Sequence, residues 1–419
     1  MPRSSVYPPD LARYVEAHWP AATPSSLPSA LLEDALAAAF QASMLLDEAR
    51  MTRFRLLLTA PEQLPDAGTP NQGVLRLKFD HSRPLNADEL RRLAPAVPFE
   101  TALIGAHAEH GKLRIWGVAH SGPAWLAPSW GGRSLVPNWT YDPIIHVTAP
   151  GRLAVRCAGQ LIGALERGVV VDAALDVFDS NWLRALFARE RQVIQAEHAA
   201  LQAQGAVRTS VEHSMIGKVA QQMLRRAIQL VRGARHGGLI LIVDTAGGAE
   251  RPLSGLRLKY SFTQDEPSHR YRTLLFQIVE AVAAITSKES VGWLDFVSNQ
   301  SVRFEELEQA LFEHSRVLAN LTAIDGALVL DKRFDVLGFG AEVSAELPTP
   351  ERVWRAVDTE GQVRKPEEIE NVGTRHRAAY RFVNDHPDGL AVVISQDGGV
   401  TFVANREGRV VFWEQSVSP

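Results

Sequence analysis

Two short runs of consecutive apolar residues limit what the second half of this chain can fold into. Leu239–Val243 (LILIV) and Ala327–Leu330 (ALVL) contain no polar residue, and each follows a segment with apolar residues at helical spacing. A strand that is apolar at every position is typically buried on both faces, as happens when helices cover both sides of a sheet. Strand and helix patterns alternate onward to Val410–Trp413, so the sequence predicts an α/β layer structure for this half.

The first half of the chain shows a different pattern. A predicted helix over 29–50 precedes short β-rich runs between residues 54 and 171, which are separated by Gly, Pro and Asn. A heavily charged helical pattern over 181–204 then predicts a solvated connector. We therefore predict an α+β N-terminal domain over 1–195, which includes the connector helix, and a second domain over 205–419.

Composition excludes several classes of protein. The chain has 419 residues, a net charge of −4 and one cysteine, Cys157, so it has neither an intramolecular disulfide nor an all-cysteine zinc site. The slight negative charge argues against a general nucleic-acid binder. No run of eighteen uncharged apolar residues occurs, and the N-terminus has no apolar signal core. We expect a cytoplasmic protein with no membrane partner and no dedicated nucleic-acid-binding module.

Two segments of the second half carry residues suited to nucleotide chemistry. Asp325–Ala327 (DGA) precedes the second apolar run, and Gly373–Arg377 (GTRHR) opens a predicted helix. A carboxylate at the start of a strand can bind a divalent metal or orient a hydroxyl group. Free N–H groups at a helix N-terminus bind anions, and an anion there would also compensate the two arginines. Each segment alone also fits an ordinary turn or a solvated helix face, but the two together indicate a metal-assisted nucleotide site.

These segments resemble the motif pair of diadenylate cyclase domains, which join two ATP molecules into cyclic di-AMP. Three further stretches are similar to the same family: His236–Val243 (HGGLILIV), Val336–Ser344 (VLGFGAEVS) and Leu390–Gly398 (LAVVISQDG). The resemblance covers about residues 214–415. It implies a C-terminal diadenylate-cyclase-like mixed sheet flanked by helices, and a divalent metal, Mn²⁺ or Mg²⁺.

The resemblance also implies roles for individual residues. Asp325 would bind the metal and activate the ribose 3′-hydroxyl, while His376 would position the loop that holds the phosphates. The residues implied in catalysis are Asp325, Arg375, His376 and Arg377. The residues implied in ATP binding are Gly326, Ala327, Gly373, Thr374 and Ser395. Asp397 would join Asp325 at the metal, although the family commonly has a glutamate there, and the shorter aspartate could change the metal preference.

The resemblance further implies which partners this protein binds. Each family domain binds one ATP, so self-association into a face-to-face dimer or larger assembly would be needed for activity. Residues 1–195 would receive an unidentified small-molecule or protein signal. Four tryptophans in this half, Trp116, Trp125, Trp130 and Trp139, fit either an aromatic ligand pocket or ordinary packing, and we favour packing.

Two other functions stay open at this point. The second domain could bind a nucleotide as a sensor without turnover, which the Gln396-Asp397 departure from the family pattern leaves possible. Alternatively, the enzyme could make a different dinucleotide, cyclic or linear, because the sequence does not reveal the pocket that would recognise the base.

Overall fold

A computed structural model gives the fold of the chain. It describes residues 7–20, 27–48, 50–65, 74–122, 124–126, 130–133, 141–166, 168–171, 175–205, 209–245, 253–263, 266–286, 288–299, 301–369 and 372–415. Contacts between Cα atoms divide the chain into two compact units. The N-terminal unit is formed mainly by residues 1–127 and 134–174, and the C-terminal unit by residues 128–133 and 175–418.

The N-terminal unit is a sheet with helices packed against it. Its described helices are α1 (Pro8–His18), α2 (Ser29–Ser43) and α3 (Ala87–Leu93). Its described strands are β1 (Leu46–Asp47), β2 (Arg50–Met51), β3 (Phe54–Leu58), β4 (Leu75–Pro84), β5 (Ala102–Glu109), β6 (Lys112–His120), β7 (Ile144–Ala149), β8 (Arg152–Cys157), β9 (Gln160–Glu166) and β10 (Val169–Val171). Eight of these described strands form one sheet in the order β10-β9-β8-β7-β3-β5-β6-β4. The apolar faces of α1, α2 and α3 share a buried core with this sheet.

The predicted helix over 29–50 is shorter than expected. Helix α2 ends at Ser43, and the following residues form the small antiparallel hairpin of β1 and β2. The Ser43 hydroxyl donates a hydrogen bond to the Phe40 carbonyl at 2.6 Å. Such local side-chain bonding competes with continuation of a helix.

The C-terminal unit contains a larger sheet between two layers of helices. Its described helices are α4 (Asn181–Leu186), α5 (Ala188–Ala203), α6 (His213–Ala234), α7 (Arg270–Thr286), α8 (Trp293–Val297), α9 (Val302–Leu321) and α10 (Thr374–Asp385). Its described strands are β11 (Ser210–Val211), β12 (Gly238–Val243), β13 (Leu256–Arg257), β14 (Tyr260–Ser261), β15 (Ser290–Val291), β16 (Ala327–Asp331), β17 (Val336–Val343), β18 (Val353–Ala356), β19 (Arg364–Glu367), β20 (Leu390–Ile394), β21 (Val400–Arg406) and β22 (Arg409–Gln415). The main sheet has the order β13-β17-β16-β12-β20-β21-β22-β18-β19, and β14 pairs with β17.

The two predicted apolar runs form strands at the centre of this sheet. Every residue of β12 and β16 is buried, and successive side chains point to opposite faces. Leu239 and Leu241 share a core with α10, whereas Ile240 and Ile242 share the other core with α6, α7 and α9. The sheet is mixed, because β12 pairs in parallel with β16 and antiparallel with β20. The protein is therefore mixed α/β.

The predicted connector consists of two helices, which are α4 and α5. Phe187 separates them with φ −104° and ψ 7°, and Trp182 of α4 stacks on Trp413 with ring centroids 4.3 Å apart. Both helices pack in the C-terminal unit, so the compact units divide near residue 174. The domain bounds 1–195 and 205–419 stay a prediction. Within the described ranges, no helix is both long and apolar enough to span a membrane.

Candidate functional site

The register of the central strands brings the sequence-predicted segments to one edge of the main sheet. Strands β12 and β16 run in parallel with Ile240 opposite Leu328, so the residues that precede them lie at the same edge. Strand β20 runs in the opposite direction, with Ile394 opposite Gly238, and therefore ends at that edge. We call this the motif edge, and define it by His236–Gly238, Asp325–Ala327, Ser395–Gly399 and the first turn of α10.

Asp325 and Gly326 lead into β16 at the motif edge. Asp325 is exposed, and its carboxylate makes no hydrogen bond or ion pair with the described residues. Gly326 has φ +119°, and an added Cβ would lie 2.5 Å from the Gly340 carbonyl carbon in β17. The backbone itself therefore requires glycine at position 326. The close approach to β17 explains why position 326 is a glycine without any reference to a ligand. The Asp325 side chain, in contrast, faces solvent.

Helix α10 begins at the motif edge with backbone donors that have no partner among the described residues. Its N-cap is Gly373, which offers no side chain to the first turn, and the turn contains no acidic residue. The N–H groups of Thr374, Arg375 and His376 precede the first intrahelical bond, which Arg377 donates to the Gly373 carbonyl. Among the described residues, the exposed Arg377 guanidinium has no partner. Unpaired N–H groups beside cationic side chains form a strong environment for an anion.

Arg375 connects α10 to the start of β12. Its Nη2 donates a hydrogen bond to the His236 carbonyl at 3.2 Å. At Gly237, with φ +68°, an added Cβ would lie 2.8 Å from Arg375 Nη1 and 3.0 Å from the Ile394 carbonyl oxygen. Gly237 therefore allows the arginine to cross the sheet edge. Sequence reasoning did not assign this role, although the Gly237-Gly238 doublet before an apolar strand was a visible signal for it.

His376 lies in the first turn of α10 and faces β21. Its Nε2 lies 3.3 Å from the Thr401 hydroxyl, so the imidazole ties the first turn of α10 to the sheet. Burial lowers the pKa of His376, and the nearby carboxylates of Glu414 and Asp397 oppose that shift. A half-buried imidazole bound to the sheet is suited to positioning the loop.

Ser395 and Asp397 lie in the tight turn between β20 and β21. Gly398 N–H donates to the Ser395 carbonyl at 3.0 Å, and Gly399 N–H donates to Asp397 Oδ1 at 3.1 Å. Arg232, near the end of α6, donates from Nε to the Gly398 carbonyl at 2.8 Å. The turn is thus held by its own bonds and by α6, and the Asp397 side chain is exposed.

The two carboxylates at this edge fit a metal ion that is coordinated jointly by protein carboxylates and by the phosphates of a nucleotide. Within the described residues, no group of three or more His, Cys, Asp and Glu side chains could hold a metal ion by itself. Asp325 precedes β16 and Asp397 follows β20. Only β12 separates these two strands, and two strand spacings amount to about 10 Å. Mg²⁺ is usually bound by one or two carboxylates together with substrate phosphates. One or both of these aspartates would be sufficient in that arrangement.

Three of the four tryptophans, Trp116, Trp125 and Trp130, lie within the described residues. Trp116 and Trp125 belong to the N-terminal unit, where their Nε1 atoms donate to the carbonyls of Thr59 at 2.9 Å and Glu100 at 2.8 Å. Trp130 belongs to the C-terminal unit. Trp139 lies outside the described residues. The hydrogen-bonded indoles of Trp116 and Trp125 agree with packing.

Comparison with known proteins bears on the N-terminal unit. The family model described as "Probable sensor domain DACNV" matches residues 22–120. A sensor domain of a kind typically associated with diadenylate cyclases is therefore present, as the sequence predicted for this half, and it indicates an unidentified signal input. No model of the cyclase catalytic domain matches the chain. No curated protein matches it either.

Proposed function

We propose that the C-terminal unit is a diadenylate cyclase, which condenses two ATP molecules into cyclic di-AMP and releases two pyrophosphates. The observation that carries this proposal is that Asp325–Ala327 and Gly373–Arg377 lie at the same sheet edge. The first segment leads into β16 beside the start of β12, and the second is bonded to that start through Arg375 and His236. The sensor domain in the N-terminal unit supports it independently, because that kind of domain is typically associated with such enzymes.

The residues of the motif edge would each have a separate role in this reaction. Asp325 accepts the proton of the ribose 3′-hydroxyl of one ATP. The hydroxyl oxygen forms a bond to the α-phosphorus of the other ATP while the bond to pyrophosphate breaks. Arg375, Arg377 and the free N–H groups of α10 neutralise the phosphates, and catalysis of this type is mainly positioning and charge stabilisation. A bound Mn²⁺ or Mg²⁺ would supply further neutralisation of the phosphates.

The proposal requires two copies of the chain. One motif edge offers one helix N-terminus and one Asp325, which is enough for one ATP. Two phosphodiester bonds must form to close the ring, so two such edges must face each other. We therefore propose that self-association is needed for activity, and that the sensor domain acts on this step or on the motif edge.

The test is product analysis with the full chain. We expect purified protein with ATP and Mn²⁺ or Mg²⁺ to yield cyclic di-AMP and pyrophosphate by mass spectrometry, and a parallel reaction with ATP plus GTP tests the base. Asp325→Asn should lower turnover at least a hundredfold with an unchanged melting temperature, because the amide keeps the shape but loses the charge. Asp388→Asn, at an exposed carboxylate before the opposite end of β20, is the matched control and should retain activity.

A second candidate is a nucleotide sensor without turnover. Asp397 favours it, since this carboxylate already accepts a bond from Gly399 within its own turn. ATP binding with no product under any metal, in the dimeric protein, would favour the sensor and contradict the cyclase. A product other than cyclic di-AMP would retain the chemistry and change only the base recognition.

A further inference from the structure

A separate cavity lies in the C-terminal unit at the beginning of α6, away from the motif edge. It has a volume of about 280 Å³ and is lined by residues of α4, α5, α6 and α7, by residues between these helices, and by the loop after β16. Its walls are largely aromatic and aliphatic, and include Phe178, Phe187, Ile216, Leu224 and Phe334. From Leu224 the helix continues for roughly 15 Å to its end near the motif edge. The cavity is therefore a distinct site.

The charged groups around this cavity all have the same sign. Arg184, Arg191, Lys218 and Lys332 line it together with the apolar walls, and no carboxylate does so. Lys332 is paired with Asp244 at 2.9 Å. Among the described residues, the other three cations have no carboxylate partner, and the half-buried Lys218 ammonium has no partner of any kind. Arg184 is exposed, but Arg191 and Lys218 are half-buried. Cations that are partly removed from water without a counter-charge, as these two are, are suited to an anionic ligand.

Arg191 is held in place beside the cavity by neutral groups. Its Nη2 donates to the Arg184 carbonyl at 2.7 Å and its Nε donates to His213 Nε2 at 3.1 Å. Burial lowers the pKa of Arg191, and burial together with the arginine charge lowers the pKa of His213. His213 is thus neutral and accepts the hydrogen bond, so it provides no charge that would repel an anion.

Glu190 on α5 directly precedes Arg191 in the sequence. It is 2% exposed and does not line the cavity. Burial and the charge of Asp244 raise its pKa, against the effects of Arg189, Lys332 and Arg333. The raised pKa means that the folded protein releases the Glu190 proton at a higher pH than the unfolded chain does.

Two residues with unusual backbone properties, Gly217 and Phe334, line the cavity. Gly217 lies inside α6, where glycine costs about 1 kcal/mol relative to alanine. No crowding requires it, because an added Cβ would come no closer than 3.4 Å, to Arg191 Cδ. Phe334 has φ +64°, a conformation that is rare for a bulky residue, and its ring stacks on Phe187 with centroids 5.5 Å apart. Gly217 therefore leaves space free beside Arg191, and Phe334 and Phe187 form part of the aromatic wall of the cavity.

We propose that this cavity binds an apolar organic monocarboxylate, with its hydrocarbon part between the aromatic walls and its carboxylate at Lys218 and Arg191. A carboxylate accepts short, strong hydrogen bonds from cationic donors. A cavity of about 150 Å³ holds benzene, so this volume admits roughly ten carbon atoms. The site would give the C-terminal unit a ligand input of its own, independent of the sensor domain.

The first test compares two probes of equal chain length by isothermal titration calorimetry on the full chain. Octanoate should bind saturably with one molecule per chain, and 1-octanol should bind at least tenfold more weakly because it lacks the charge. Lys218→Met should weaken octanoate binding about tenfold or more, since a hydrogen bond to a charged group is lost, while 1-octanol binding should stay unchanged. Equal binding of both probes, or no octanoate binding, would overturn the proposal.

The second test fills the cavity from the helix. Gly217→Leu places a side chain into the space and should abolish octanoate binding, whereas the better helix propensity of leucine should preserve the fold. Gly233→Leu is the matched control, because Gly233 lies on the same helix and an added Cβ meets nothing within 4 Å. Retained binding in Gly217→Leu would place the ligand elsewhere. Neither readout depends on cyclase activity, so this proposal and the proposed function can fail separately.

Discussion

At the scale of single residues, the least satisfied group of the described structure is the Glu190 carboxylate. Both of its oxygens are buried without a hydrogen-bond partner, and Asp244 adds a like charge nearby. A buried unpaired polar group destabilises the folded state, and a charged one does so more strongly. Its raised pKa means that the folded protein retains a proton that the unfolded chain releases above its ordinary pKa of 4.5.

This residue predicts a specific dependence of stability on pH. Since the folded state binds the extra proton, the contribution of Glu190 to the free energy of unfolding is fully present below pH 4.5 and is lost as the pH rises. Glu190→Gln should raise stability at pH 8 by on the order of 1 kcal/mol and have little effect at pH 4.5. Thermal denaturation of both proteins at the two pH values measures this. Glu197→Gln, on the same helix, is the control and should not stabilise, because Glu197 is paired with Arg272 at 2.9 Å.

At the scale of elements, the first turn of α10 contains two arginines in different situations. Arg375 is bound to the His236 carbonyl and passes over Gly237, so it contributes to the local structure. Arg377 is exposed and has no partner among the described residues. A cation without a partner at a helix N-terminus opposes the helix dipole, and an anionic ligand would remove that penalty. The two arginines should therefore respond differently to substitution.

We expect Arg377→Met to weaken ATP binding about tenfold or more without lowering the melting temperature, since it removes a charge that only the phosphates would use. Arg375→Met should weaken binding and also lower the melting temperature, because the bond to His236 is lost. Calorimetric titration and thermal denaturation measure the two effects. Arg381→Met, later on the same helix, should leave ATP binding unchanged; an equal loss there would mean that only the net charge matters.

At the scale of the whole molecule, the two compact units divide the chain near residue 174, whereas the predicted domains divide it near residue 195. The charged pattern over 181–204 predicts a solvated connector, which the predicted N-terminal domain includes. The corresponding helices α4 and α5 pack in the C-terminal unit, where Trp182, Leu183 and Ile194 join the main core. A charged helical pattern indicates an exposed face, but it does not indicate which partner receives the buried face.

Two truncated chains test where the second domain begins. We expect residues 175–419 to give a soluble protein with a cooperative thermal transition. Residues 196–419 should aggregate or melt at least 10 °C lower, because that chain lacks α4 and the stacking of Trp182 on Trp413. Both chains lack Arg133, so loss of its ion pair with Glu308 cancels in the comparison. Equal stability of the two would support the predicted boundary near residue 195.

The sequence alone determined the central strands and the residues of the candidate site. An unbroken apolar run such as LILIV is typical of a strand that is buried on both faces at the centre of a layered sheet. This pattern can be recognised in the local sequence. The tertiary structure decided what these elements bring together. That Gly237 makes room for Arg375, that Asp325 lies at the same edge, and that a cationic cavity opens beside Gly217 all depend on strand order, strand direction and helix packing. These depend on pairings between distant parts of the chain, which no local pattern encodes.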